Sequence, residues 1–318
     1  MNSCPRDAER PRVGDQPPGA RKAPTFGDQP AGARKAPTFG EEPASGAAQL
    51  IPPGLDAVIV LLRHGQTQFI VEKKFQGAME APLTALGEEQ ARLAGRRLAV
   101  PHAAPALPIP GAAPFAIVHS PLGRARRSAE LAVAEMNAAG VATPPLRVDA
   151  GFSEIAQGGW EGLTEEEITA QFGEALGGWR RWPLKFHAEG GESLPEVVAR
   201  VEPALTRLLA DMAVGTTPGT MDRHQVLGYG NEGPERRWSL IVAHGGVFKV
   251  VACAILGLPL EHFWNFDFGL GAITVIEIRA GRAVLLALNA DSHLSGDSGS
   301  ATSDTGDDSR TRNASGAL

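Results

Sequence analysis

Two histidines follow directly behind strongly apolar runs of the sequence. His64 comes after residues 58–62 and is preceded by Arg63, and His244 comes after residues 240–243. An apolar run of this length, bounded by glycine and polar residues, is typical of a buried strand. Open α/β sheets bind ligands just beyond the carboxyl ends of their strands. Two imidazoles and an arginine at such an edge would form a small positive pocket suited to a phosphate group.

A third strand end supplies further groups of the same kind. Residues 115–118 are a predicted strand, followed by Ser120 and by Arg124 in the first turn of a predicted helix. Parallel strands with right-handed crossovers bring such ends to one edge of the sheet. Arg63 and Arg124 can then fork around phosphate oxygens, while His244 donates to a third oxygen. We expect the N-termini of the helices behind these strands to add partial positive charge.

The charges around His64 favour a nucleophilic imidazole. The ordinary pKa of histidine is about 6.5, and neighbouring cations lower it, so the ring is expected to be neutral at pH 7. Neutral imidazole is the form that can attack phosphorus. The leaving alkoxide then needs a proton, and Glu154, just before a Gly-rich turn at 158–162, is the candidate acid. After alcohol release, the same carboxylate can activate water against the phosphohistidine.

The elements that must position these residues alternate between strand and helix from residue 55 to 294. The predicted strands are 57–62, 115–118, 239–243, 271–278 and 283–288. Predicted helices are at 85–99 behind Thr84, from about 122, behind capping boxes that begin at Thr164 and Ser193, and at 247–256. This alternation predicts a three-layer α/β/α sandwich with a mostly parallel central sheet.

Three segments outside this pattern are predicted to be irregular. Residues 1–54 are rich in Pro and Gly and carry a 13-residue tandem repeat, at 14–26 and 27–39. This composition predicts a disordered tail, although a short binding motif presented twice is an alternative. Residues 295–318 are predicted to be a second disordered tail, and 214–237 a surface loop. The domain prediction is therefore a single folded unit over 55–294.

Composition and charge exclude several classes of function. The net charge of −6 offers no overall attraction to nucleic acid or to anionic membranes. No apolar stretch reaches the roughly 18 residues that a membrane span needs. Two cysteines among 318 residues argue against a disulfide framework, and no apolar signal segment opens the chain, so we expect a cytoplasmic protein. A homodimer stays open, because nothing in the sequence reports the oligomeric state.

Six motifs in a fixed order carry a family resemblance. They are LLRHGQT at 61–67, FQGAMEAPLTALGEEQA at 75–91, HSPLGRARRSAE at 119–130, EIAQGGWEGLT at 154–164, GGESL at 190–194 and VAHGG at 242–246. Each motif alone is weak evidence, but the ordered set is specific. The region from about 57 to 294 resembles the histidine phosphatase superfamily, in its phosphoglycerate mutase-like branch.

The resemblance implies roles for individual residues. His64 would be the phosphorylated residue, and Glu154 the proton donor. The residues that would hold or line the phosphate are Arg63, Thr67, Gln76, Gly77, Arg124 and His244. Two positions depart from the family pattern: Ile70 stands where members often carry Asn, which removes a polar contact to the phosphate, and Gln66 replaces the commoner Glu.

The basic residues Arg180, Arg181 and Lys185 lie between the candidate acid and the second capping box. They are interpreted either as an ordinary basic loop or as a lid that meets the non-reacting part of an anionic substrate. No HExxH or CxxC motif occurs, and the histidines show no metal-ligand spacing. We therefore expect no metal and no other cofactor.

These observations predict a phosphomonoester hydrolase that acts through a phosphohistidine on a small phosphorylated metabolite. A 2,3-bisphosphoglycerate-dependent phosphoglycerate mutase is the first alternative. Only about 36 residues separate Glu154 from Gly191, whereas family mutases usually have a longer insertion with paired arginines there. A phosphate-binding scaffold with little turnover is the second alternative. The sequence does not name the physiological substrate.

Overall fold

A six-stranded sheet runs through the computed structural model, which describes residues 50–215 and 236–295. Its strands are β1 (Ala57–Arg63), β2 (Ala116–His119), β3 (Leu146–Val148), β4 (Arg237–Ala243), β5 (Ile273–Arg279) and β6 (Arg282–Ala290). The order across the sheet is β3-β2-β4-β1-β5-β6. Strands β3, β2, β4 and β1 pair in parallel, whereas β5 and β6 are antiparallel additions at one edge. The predicted mostly parallel sheet is confirmed.

Three long helices of the described chain begin directly after the polar caps that the sequence predicts, at Thr84, Thr164 and Ser193. The helices of the described chain are α1 (Gln68–Val71), α2 (Ala85–Ala99), α3 (Gly123–Ala138), α4 (Glu165–Arg181), α5 (Leu194–Ala213) and α6 (Gly245–Leu256). The hydroxyl of Thr84 accepts the Gly87 N–H at 3.0 Å. Thr164 and Glu167 form a reciprocal capping box at the start of α4. These side chains satisfy backbone donors that the first helical turn leaves unpaired.

The side chains of β1 alternate between the two faces of the sheet. Val58, Val60 and Leu62 pack with α2 and α3 on one face. Ile59 and Leu61 pack with α5 and α6 on the other. Successive residues of a strand point to opposite faces, so a strand that is apolar throughout must be covered on both. The three-layer α/β/α prediction is confirmed.

The strand ends that carry candidate residues meet at one edge. Arg63 is the register partner of Ala243, and the His64 N–H donates to the Ala243 carbonyl at 3.0 Å. The Ser120 N–H donates to the Val242 carbonyl at 3.1 Å. The carboxyl ends of β1, β4 and β2 are therefore aligned to within about one residue, as parallel pairing requires.

Two features differ from the sequence predictions. Strand β3 was not predicted, because its three residues are half-buried or exposed and show no apolar alternation; it forms through backbone pairing with β2. Strand β4 begins at Arg237, two residues earlier than predicted. Residues 216–235 of the predicted surface loop lie outside the described chain.

The predicted tails fall mainly outside the described residues, namely 1–49 of the first and 296–318 of the second. Within the range assigned to the first tail, Ile51 is buried against the core. No helix within 50–215 and 236–295 is both long and apolar enough to cross a membrane.

The close packing of α2 against α3 generates a first prediction. A Cβ added at Gly95 would lie 2.7 Å from the Ala132 Cα and still closer to its carbonyl oxygen. We expect Gly95→Ala to lower the free energy of unfolding by about 1–3 kcal/mol, because backbone must move. The control is Gly177→Ala in α4, where an added Cβ meets nothing within 4 Å. It should instead stabilise by about 0.5–1 kcal/mol in urea unfolding. Equal effects of the two substitutions would contradict this account of the packing.

Candidate active site

The His64 imidazole is buried at the end of β1 with a defined tautomer. Its Nδ1 lies 2.7 Å from the Gly65 carbonyl oxygen, which can only accept a hydrogen bond, so Nδ1 carries the proton. In the neutral ring, Nε2 is then unprotonated. Burial, and after it the charges of Arg124 and Arg63, hold the pKa of His64 well below its usual value. At pH 7 this side chain is therefore neutral, with a lone pair on Nε2.

The second histidine, His244, packs beside the first. The two ring centroids are 5.1 Å apart, and His244 is fully buried. Its Nε2 lies 2.7 Å from the Ser120 hydroxyl, which also accepts the Leu122 N–H. The Nδ1 atom of His244 is buried without a partner in the described chain. Burial, followed by the charge of Arg124, also lowers the pKa of His244 well below its usual value.

Arg63 and Arg124 are both buried and anchored by carbonyl groups. Arg63 donates from Nη1 to the Phe268 carbonyl, and Arg124 donates to the carbonyls of Gly77 and Met79 at 2.7 and 2.8 Å. The Nε donor of each arginine is buried without a partner among the described residues. An unsatisfied buried donor costs about 1–3 kcal/mol, more for a charged group. Both guanidinium groups thus retain a strong donor for a bound anion.

The carboxylate of Glu154 is also brought to this edge, where it binds the first turn of α6. Its oxygens accept the N–H groups of Val247 at 2.9 Å and of Gly246 at 3.2 Å. A carboxylate also binds the N-terminus of α3, where Glu80 accepts the Gly123 N–H. The sequence analysis expects these helix N-termini to add partial positive charge to the site. In the structure, the N–H groups of Gly123, Gly246 and Val247 donate to carboxylates.

The predicted phosphate loop is held together by its own side chains. Thr67 donates to the Gln76 Oε1 at 2.8 Å, and both side chains are buried. The Thr67 hydroxyl also receives the Ile70 N–H at 3.4 Å, as the N-cap of α1. Ile70, which stands where the family often has Asn, thus contributes its backbone to the loop. Gly77 has φ +49°, a region that favours glycine, and its carbonyl holds Arg124.

The carboxylate of Glu161 also stabilises the predicted phosphate loop. Its Oε1 accepts the N–H groups of Ala78 and Gln157, both at 2.8 Å. Glu161 therefore binds two loops rather than the N-terminus of α4. Neither this contact nor that of Glu80 has a sequence signal, since both join segments that are distant along the chain.

The three basic residues proposed for specificity lie at the end of α4 and just beyond it. Arg180 is paired with Glu165 at 2.8 Å, and the Arg181 guanidinium lies 5.0 Å from the Trp182 ring centroid. Lys185 is exposed. The described contacts join none of the three to the two histidines, and their role as a lid stays a prediction.

A buried cation, Lys249 on α6, was missed by the sequence reasoning. Its ammonium lies 4.4 Å from the Trp264 ring centroid and 5.4 Å from that of Phe263. Burial lowers its pKa to about 8, while the charge of Asp267 acts in the opposite direction. In the sequence Lys249 is a single lysine within an apolar helix, and no motif marks it as part of a site. Within 50–215 and 236–295, no cluster of three or more His, Cys, Asp or Glu side chains could hold a metal ion.

Comparison with known proteins decides the family. A family model described as the histidine phosphatase superfamily (branch 1) matches residues 59–216 and 226–291. This chain belongs to the histidine phosphatase superfamily. The match spans the strands that carry both histidines, and the predictions of family and of enzyme class from the ordered motifs are confirmed.

Related proteins include phosphatases and mutases. The chain is 31% identical to a glucosyl-3-phosphoglycerate phosphatase of Mycolicibacterium vanbaalenii, over 69% of this chain and 83% of that protein. It is 27% identical to phosphoserine phosphatase 1 of Hydrogenobacter thermophilus, over 74% and 93%. It is 31% identical to a probable phosphoglycerate mutase of Klebsiella pneumoniae, over 63% and 75%.

Solved structures share the fold. A native mycobacterial glucosyl-3-phosphoglycerate phosphatase superposes with a TM-score of 0.57 at 27% identity, covering 74% of this chain and 99% of that one.

The two neutral imidazoles generate a prediction about pH and stability. Their pKa values are lowered in the folded protein, so below about pH 6.5 the unfolded chain binds protons that the folded chain does not. Stability should be fully present above that pH and lost as the pH falls, by up to about 1.4 kcal/mol per pH unit for each histidine. His64→Gln should flatten the slope of unfolding free energy between pH 7 and 5 by up to that amount. A variant with the wild-type slope would show that His64 is not buried in its neutral form.

Proposed function

We propose that this protein hydrolyses small phosphomonoesters through a phosphohistidine formed on His64. One observation carries the proposal. The neutral, buried His64 has an unprotonated Nε2, and the buried side chains around it keep three nitrogen atoms without partners among the described residues, namely the Nε donors of Arg63 and Arg124 and the Nδ1 of His244. A phosphate group would satisfy the two arginine donors while it presents its phosphorus to Nε2. Buried polar groups in proteins are normally paired, so unpaired arginine donors beside His64 point to an anionic ligand.

In the first step the His64 Nε2 attacks phosphorus and the bond from phosphorus to the leaving oxygen breaks. Glu154 donates its proton to that oxygen, so the product leaves as a neutral alcohol. In the second step Glu154 takes a proton from water, whose oxygen attacks phosphorus. The nitrogen–phosphorus bond breaks, which releases inorganic phosphate and restores neutral His64.

The positive charge needed by the transition state comes from the chain itself. Arg63 and Arg124 are fixed by carbonyl groups before substrate arrives, so little reorganisation accompanies the reaction. Preorganised donors in a dry site stabilise charge on equatorial phosphoryl oxygens better than water does. We therefore propose that turnover needs no metal ion. A mycobacterial glucosyl-3-phosphoglycerate phosphatase, 28% identical with a TM-score of 0.56, has been solved with inorganic phosphate, which supports a phosphate site in this fold.

The cysteines and the net charge bear on the cellular compartment of the protein and on the class of ligand that it binds. We propose a cytoplasmic enzyme: among the described residues Cys253 is buried and unpaired, which suits a reducing compartment. The net charge of −6 supports a small metabolite rather than nucleic acid as the partner. A homodimer remains a prediction.

The similarity to a probable phosphoglycerate mutase supports a second candidate function, in which the phosphate group on His64 is returned to the substrate.

The reaction class can be tested by phosphate release in chelator. We expect the wild-type protein to release phosphate from a panel of small phosphomonoesters in excess chelator, and His64→Ala to lose at least about 10³-fold in kcat/KM, because no nucleophile remains. The panel includes 3-phosphoglycerate with and without 2,3-bisphosphoglycerate. Isomerisation without net release would favour the mutase, and no reaction with any substrate would favour the scaffold. Inhibition by chelator would contradict metal-independent turnover.

The role of Glu154 can be tested through the leaving group. General acid catalysis typically contributes about 10²–10⁴-fold. Glu154→Gln should therefore lower kcat/KM for an alkyl phosphate by that amount, but far less for p-nitrophenyl phosphate, whose acidic phenol leaves without a proton. The matched control is Glu165→Gln, since Glu165 is paired with Arg180 on the surface. Equal losses on both substrates for Glu154→Gln would mean that it positions α6 and does not donate a proton.

A further inference from the structure

Residues 267–271, which we call the anchor segment, hold the side chain of Arg63. The Phe268 carbonyl accepts a hydrogen bond from the Arg63 Nη1, and that guanidinium makes no other hydrogen bond within 50–215 and 236–295. The guanidinium of Arg124, by contrast, is held by two carbonyl groups. The direction of the Arg63 side chain therefore depends on where one carbonyl group points.

The anchor segment is also joined to the backbone at the end of β1. The Gly271 N–H lies 3.1 Å from the Arg63 carbonyl oxygen and 3.3 Å from that of His64. On the other side, the Gly271 carbonyl oxygen lies 3.0 Å from the Nε2 of His293. A carbonyl group can only accept, so His293 is the donor. These contacts fix the Gly271 end of the anchor segment independently of Phe268.

The side-chain amide of Asn289 holds the other end of the anchor segment. Its Oδ1 accepts the Gly269 N–H and its Nδ2 donates to the Asp267 carbonyl, both at 2.7 Å. The Gly269 N–H and the Phe268 carbonyl belong to one peptide group, which is planar and directs them to opposite sides. A single rigid peptide group therefore joins Asn289, which binds its N–H, to Arg63, which binds its carbonyl.

The backbone of β6 is irregular at Asn289. Two consecutive residues of β6, Leu288 and Asn289, lie opposite the single residue Thr274 of β5, which makes a β-bulge. Bulges break the regular alternation of side chains and often re-aim a side chain next to an active site. Asn289 has φ +53°, in the left-handed region that glycine and asparagine tolerate best. Glycine would suit this backbone at least as well, but it would supply no amide to the anchor segment.

We infer that Asn289 is a positioning residue for Arg63, acting through the peptide group between Phe268 and Gly269. This inference rests on the proposed function, in which the Arg63 guanidinium binds the phosphoryl group. No described contact joins Asn289 to the imidazole of His64, so its effect passes through Arg63. The amide keeps the guanidinium in place before substrate binds, and donors that need no reorganisation stabilise the transition state best.

A double-mutant cycle with Arg63 tests the inference. Asn289→Gly removes the amide, and glycine adopts the left-handed backbone without strain. The control is Ala280→Gly, because Ala280 has φ +46° in the turn between β5 and β6, at the opposite end of this hairpin. Each substitution is made in the wild-type chain and in Arg63→Met, which removes the guanidinium. The measurements are kcat/KM for p-nitrophenyl phosphate, the Kd of inorganic phosphate by calorimetry, and thermal unfolding.

In the wild-type chain, Asn289→Gly should lower kcat/KM by about 10–10²-fold, because a displacement of about 1 Å in a binding group can cost that much. It should also weaken phosphate binding. In Arg63→Met, the same substitution should change either quantity by less than about twofold, because residues that act as a unit are not additive. Ala280→Gly should stay within about twofold in both backgrounds.

Equal losses in both backgrounds would show that Asn289 supports the fold without acting through Arg63, and would overturn the inference. Wild-type values in Asn289→Gly would also overturn it. Asn289→Asp keeps the acceptor for Gly269 and loses the donor to Asp267. It is carried through the same cycle, in case Asn289→Gly does not fold, and its loss should likewise depend on Arg63.

Failure of the proposed function would give a different result. If wild-type protein binds inorganic phosphate but hydrolyses no phosphomonoester, the proposed function fails, and the cycle on phosphate binding still decides the role of Asn289. If hydrolysis requires His64 while Asn289→Gly behaves as wild type, the phosphatase stands and the inference fails. Neither binding nor hydrolysis by the wild-type protein would overturn both.

Discussion

The parallel pairing of β1 with β4, and of β4 with β2, is the constraint on which the site depends. Parallel strands end at the same edge, so the pairing of Arg63 with Ala243 fixes where His64 and His244 emerge. The strands are apolar on both faces and are covered by two helical layers, so this edge of the sheet is built from buried strands. The 5.1 Å separation of the two imidazole centroids is thus a consequence of backbone hydrogen bonding in the sheet centre.

Burial at that edge sets the chemistry. A dry pocket with two arginines disfavours imidazolium, so both histidines are neutral and His64 keeps a free Nε2. The same burial makes unpaired donors expensive, and the Nε donors of Arg63 and Arg124 are unpaired beside His64 among the described residues. Carboxylates bind the first turns of α3 and α6: Glu80 and Glu154 accept helix N–H groups and place negative charge near the arginines. We propose that anion binding draws on the guanidinium groups and the second imidazole rather than on these helix ends.

The sequence predicted the layers, the long helices and the residues that meet at the sheet edge, because each of these has a local signal. Continuous apolar runs mark β1 and β4, and Thr84 or Thr164 marks a helix start. Contacts between distant segments have no such signal. The carboxylate of Glu161 joins two loops, at Ala78 and at Gln157, which only the folded chain brings together. Strand β3 escaped prediction because pairing with β2, rather than its own composition, makes it a strand. The buried amide atoms of Gln157 and the indole Nε1 of Trp179 make no hydrogen bond within the described chain, and only the folded structure shows this.

The central claim is that phosphate passes through a covalent bond to His64, and trapping that bond tests it most directly. Wild-type protein is mixed with a phosphorus-labelled phosphomonoester, quenched in alkali within a turnover, and digested for mass spectrometry, with His64→Gln and His244→Gln as parallel samples. The account predicts a phosphoryl group on the peptide that contains His64, formed at least as fast as steady-state turnover and absent in His64→Gln. Turnover without any labelled peptide, or label on His244 instead, would contradict it.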